Sequence, residues 1–133
     1  MRFFAYLDDY TRFDRKVVDF LNDFLIRTQR TFTDELKEKM QGEWERMLAF
    51  VQKYFPAGFS KAKGHVRTPR IRFETISVGS ALALRQNASL EPLDVNAWLK
   101  SSEFARHTTS GSSNSKPKII ARIEYVRDKL LGL

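Results

Sequence analysis

An all-α fold is predicted, and three observations predict it. Apolar residues recur at helical spacing along most of the 133-residue chain. One segment, Ile76-Ser-Val-Gly-Ser-Ala-Leu-Ala-Leu84, is apolar or small on every side, which is the composition of a buried helix. Strand-like alternation is almost absent. The expected architecture is a single compact bundle of five to six helices over residues 1–133, with a central buried helix near 70–86.

The first helix is expected over 12–29. Thr11 followed by Asp14 resembles a capping box. Phe13, Val17, Phe20, Leu21, Phe24 and Leu25 then make one stripe. The second begins after Thr33, a good N-cap, with Asp34 and Glu35 in the first turn where the helix dipole favours negative charge. Leu36, Met40, Trp44, Met47, Leu48, Val51 and Phe55 continue its core face until Pro56. Gly42 weakens it by about 1 kcal/mol relative to alanine.

Residues 56–69 read as a linker containing Pro56, Gly58, Gly64 and Pro69. The third helix runs from about Arg70 to Gln86. Its small residues, Ser77, Gly79, Ser80, Ala81 and Ala83, allow close backbone approach. A strand at 71–78 is the competing reading, because β-branched residues are frequent there. Asp94 caps a short helix through Trp98 and Leu99, and a second short piece passes through Phe104. Residues 108–115 form a polar loop. Ser115 caps a last helix that tolerates Pro117 in its first turn. Ile119, Ile123, Val126 and Leu130 share its inner face, and Gly132 stops it.

Composition narrows the function classes. The chain has no cysteine, so disulfides and cysteine-ligated zinc are excluded. No apolar run approaches the ~20 residues of a membrane span, and the opening residues are too acidic for a signal peptide. A cytoplasmic location is the expectation. Residues 1–55 carry ten basic and ten acidic side chains, whereas 56–133 carry thirteen and six. The excess of +7 therefore belongs to the later part, a distribution that suits a polyanionic partner.

Catalytic motifs are missing. His65 and His107 have no histidine at zinc-ligand spacing. Neither phosphate-loop nor dinucleotide glycine pattern occurs, and no nucleophile elbow. Asp8 and Asp9 are adjacent carboxylates, but neighbours on a helix diverge and do not converge on one metal. No catalytic residue, metal ligand or cofactor is expected.

Two segments carry binding hypotheses. Lys61, Lys63, Arg67, Arg70 and Arg72 form a basic series in which arginine forks match phosphate oxygens. Against this, cations at a helix start oppose the dipole, and Arg72 has the alternative of pairing with Glu74 or with acids of the second helix. Ser113, Ser115, Lys116 and Lys118 border the start of the last helix, where free N–H groups can hold an anion. A simple helix cap is the alternative there and the favoured one.

The ordered set Phe55-Pro-Ala-Gly-Phe59, Pro69-Arg-Ile-Arg-Phe-Glu74, Val78-Gly-Ser-Ala-Leu82, Trp98, Phe104, Thr108-Thr-Ser-Gly-Ser-Ser-Asn114 and Arg122-Ile-Glu-Tyr-Val126 resembles the C-terminal helical region of GmrSD-type restriction-like proteins. Arg2-Phe-Phe-Ala-Tyr-Leu7 resembles the segment joining that region to the family's ParB/sulfiredoxin-like N-terminal domain. The resemblance implies defence against foreign DNA, with the chemistry in an Asp-Gly-Gln-Gln-Arg motif that this chain lacks. It implies a non-catalytic helical part. Its expected partners are DNA phosphates, a nucleotide-binding domain or nuclease subunit of the family type, or a second copy of the chain. A protein-interaction or dimerisation module without nucleic-acid binding is the alternative.

Overall fold

A computed structural model describes residues 2–13, 16–60, 69–108 and 115–133. Among them lie seven α-helices and one 3₁₀ turn, and no strand. The helices are α1 (Arg2–Asp9), α2 (Val17–Thr31), α3 (Asp34–Tyr54), α4 (Arg70–Gln86), α5 (Asn96–Leu99), α6 (Ser102–Thr108) and α7 (Lys116–Leu130). The all-helical class holds, and the competing strand at 71–78 is excluded. The helix number is seven rather than five or six, because the N-terminal segment is itself helical and packed.

That segment corrects the expected helix over 12–29. Tyr10–Arg12 form the 3₁₀ turn, Phe13 has non-helical backbone, and α2 starts only at Val17. Asp14, of the expected capping box, lies outside the described residues. Phe13 fits the helical spacing yet reaches the core from a turn. Its ring packs 6.2 Å from Tyr6 and 5.3 Å from Phe20. Phe3, Ala5, Tyr6 and Leu7 of α1 are buried. Leu25, which fits the apolar stripe by spacing, is instead exposed together with Val18 and Ile26.

Other elements follow their local signals. The Thr33 hydroxyl accepts from the Leu36 N–H at 3.1 Å, which caps α3. Asp94 accepts from the Asn96 N–H at 3.0 Å and starts α5. Gly132, at φ +81°, ends α7 in the left-handed conformation that glycine adopts without a Cβ penalty. Ser115 occupies the position before α7 in extended backbone, but its side chain does not cap the helix.

Helix α4 is the centre. Nearly every residue from Arg72 to Ala83 is buried. Its partner is α7, whose Ile119, Ile123, Val126 and Leu130 are all buried as the spacing predicts. The two helices approach closely at Gly79, where a Cβ would meet the Ile123 carbonyl at 3.0 Å.

Candidate functional site: a cationic end and an aromatic groove

Three helices run in the same direction. Arg2 at the start of α1 meets Glu74 near the start of α4 at 2.9 Å, and Asp8 near the end of α1 meets Arg85 near the end of α4 at 3.1 Å. Helix α7 runs with them. Arg122 acts electrostatically on Tyr6 and Glu74, while further along Tyr10 donates to Glu124 and Gly79 abuts Val126. The starts of α1, α4 and α7 therefore share one end of the molecule. Each start carries partial positive charge from unpaired backbone N–H groups.

Side chains add to that charge. Arg70, Lys116 and Lys118 are exposed there, and none makes an ion pair among the described residues. Arg2 spends its charge on Glu74, which is only 4% exposed. Burial pushes the Glu74 carboxyl above the usual carboxylate range, and Arg2, Arg122 and Arg70 pull it only part of the way back. Glu74 is thus enclosed, while Arg70, Lys116 and Lys118 face outward.

Arg72 corrects the sequence reading. It does not reach the surface with Arg70. Its residue exposure is 7%, its guanidinium lies 5.1 Å from the Phe104 ring centroid, and its Nε has no hydrogen-bond partner. Nor does it pair with Glu74, whose carboxylate is held by Arg2. Position 72 falls on the inner side of α4, where cation–π contact with Phe104 replaces an ion pair. Desolvation holds its pKa below the ordinary arginine value. Of the other predicted residues, Lys61, Lys63, Arg67 and Ser113 lie outside the described residues.

Beside the cationic end, a groove of ≈ 720 Å³ opens between α1, α3 and the start of α4. Phe3, Phe4, Phe32, Met40, Trp44 and Phe73 line it, with Arg2, Lys37 and Gln41 at its polar positions. The rings pack edge-on. Trp44 lies 5.1 Å from Phe3 at 68° and 6.4 Å from Phe73 at 61°. Phe32 is 52% exposed. It precedes the Thr33 cap, where a hydrophobic residue usually staples onto the fourth helical residue. That residue is Lys37, so Phe32 has no apolar partner at the staple position and turns to the groove instead.

Periodicity does not reveal this groove, because it places Met40 and Trp44 in the core and gives no sign of α1. A large ring directly before a helix cap, with lysine at the staple position, is the signal the chain does carry. A larger hollow of ≈ 920 Å³ lies between α3 and the end of α4. There Arg85 binds both Glu43 carboxylate oxygens, at 2.8 and 2.9 Å, while Lys39, Arg46, Lys53 and Glu91 also line it. Among the described residues no cluster of His, Asp or Glu is arranged to hold a metal ion, and no helix is long and apolar enough to cross a membrane. Neither protein-family models, curated proteins nor solved structures yield a match to this chain.

Proposed function

We propose that this chain is a non-catalytic helical domain of a GmrSD-like defence protein, which binds DNA phosphates at its cationic end and docks a nucleotide-using domain or partner subunit. The observation that carries the DNA half is the shared end of α1, α4 and α7, where Arg70, Lys116 and Lys118 are exposed and outside any ion pair among the described residues while Glu74 is enclosed. Phosphates find there both helix N-termini and outward-facing cations. The ordered resemblance supports the family assignment. Binding of this kind is independent of base sequence and steeply salt-dependent, since it releases counterions. Titration of a duplex at two salt concentrations tests it. Affinity that falls as salt rises is expected, and absence of binding at low salt refutes it.

A second reading is a protein-interaction or dimerisation module. It is favoured by α2, which exposes Val18, Leu25 and Ile26. Light scattering distinguishes the two: a second copy on this face gives a dimer that Leu25→Asp with Ile26→Asp dissolves.

A further inference from the structure

We propose that the aromatic groove is a nucleobase-stacking site, which takes an unpaired base from the strand whose phosphates lie on the cationic end. The proposal deepens the DNA-binding reading and rests on it.

The lining chemistry selects the occupant. Phe4, Trp44 and Phe73 are each half-buried and Phe32 is more than half exposed, so aromatic surface is open to a ligand. The exposed Phe32 ring and the part-exposed rings beside it offer aromatic surface, and a base can stack on such surface whatever its sequence identity. The charged side chains in the lining are Lys37 and Arg2, the second already held by Glu74, and among the described residues no carboxylate belongs to it. Lys37 makes no ion pair among the described residues. A ligand that is aromatic and anionic meets both halves of this surface. A neutral apolar segment fills only the first half and covers an unpaired lysine, which is costly.

Size and position agree. The groove volume of ≈ 720 Å³ lies within the roughly 300–1,000 Å³ of small-ligand sites. It accepts a nucleotide and is too small for a duplex. Arg2 belongs both to the groove and to the cationic end, and Phe73 lies on the first turn of α4 with Arg70. A strand crossing that end passes the mouth of the groove. The base must be unpaired to enter, so single-stranded or locally opened nucleic acid is the expected ligand.

Trp44 supplies the probe. In a Trp98→Phe background, where Trp44 is the sole tryptophan, decathymidylate is compared with an abasic strand of the same length. Quenching of Trp44 and an affinity about tenfold higher for the base-bearing strand are expected, in the range that stacking contributes. Phe32→Ala, a substitution at an exposed ring, should remove that preference and leave helicity unchanged. Equal binding of the two strands overturns the base site while the phosphate reading stands. Absence of binding by both overturns the two together. A preference that survives both Phe32→Ala and Phe4→Ala places the base elsewhere and also overturns the proposal.

Discussion

Gly79 faces Val126 with no space between them: a Cβ built on Gly79 would lie 2.6 Å from the Val126 Cβ and 2.7 Å from its Cγ1. Real carbon atoms do not approach so closely, so any side chain at 79 must push α4 from α7. Gly79→Ala should destabilise by about 1–3 kcal/mol, the usual range for overpacking. Thermal unfolding checks this. Adding Val126→Ala should not restore the parent stability, because the Val126 Cβ at 2.6 Å and the Ile123 carbonyl at 3.0 Å both remain. An unchanged melting temperature in the single variant would contradict the close crossing.

Arg72 offers the opposite outcome. Its desolvated guanidinium has Phe104 beneath it and, among the described residues, no carboxylate paired with it, and buried charge is often replaced by apolar volume at no loss. Arg72→Met should leave stability unchanged or raise it by about 1 kcal/mol. DNA affinity should be unaltered, as the side chain is enclosed. Denaturant unfolding and a DNA titration check the two parts. A large loss of stability would mean that the cation–π contact outweighs the desolvation cost.

Arg70, Lys116 and Lys118 should behave as surface charges. Replacing all three with alanine should cost less than about 0.5 kcal/mol each. The slope of log affinity against log salt should decrease by about one for each phosphate that is no longer neutralised. Equal slopes for variant and parent would remove these residues from the DNA surface.

Glu74 makes stability depend on pH with a defined sign. Its folded pKa is raised by burial, more than Arg2 and Arg122 compensate. The folded state therefore holds this proton more tightly than the unfolded chain, whose value is about 4.3. Stability from this group is fully present below that value and is lost as pH rises through the folded pKa. The stability of the parent relative to Glu74→Gln should accordingly fall as pH rises above about 4 and then level off. Urea unfolding across this range checks it, and a relative stability that rises with pH would reverse the assignment.

Tyr6 and Tyr10 extend the same logic to alkaline pH. Burial pushes both hydroxyls up to about 12, and at Tyr10 the bond to Glu124 adds to the effect. Both raised values stabilise the fold below about pH 10, the unfolded tyrosine value, and that contribution disappears as pH climbs toward 12. Ultraviolet absorbance should show late phenolate formation in the folded protein. The delay should vanish in denaturant.

Local signals in the chain suffice for the helical class, the cap at Thr33, the bounds of α4, the inner face of α7 and the stop at Gly132. These depend on residues within a few positions of one another: periodicity, a hydroxyl three residues from its N–H, a glycine free to take positive φ. They do not suffice for the break at Phe13, since a ring at helical spacing can also reach the core from a turn, and only contact with Tyr6 and Phe20 selects between them. Nor do they separate Arg70 from Arg72. Both belong to one basic run, but facing α6 encloses the second and leaves the first in water. The groove is the clearest product of long-range packing. Phe4, Phe32, Trp44 and Phe73 are scattered apolar residues in the chain, and they form one surface because α1 and α3 meet at the start of α4.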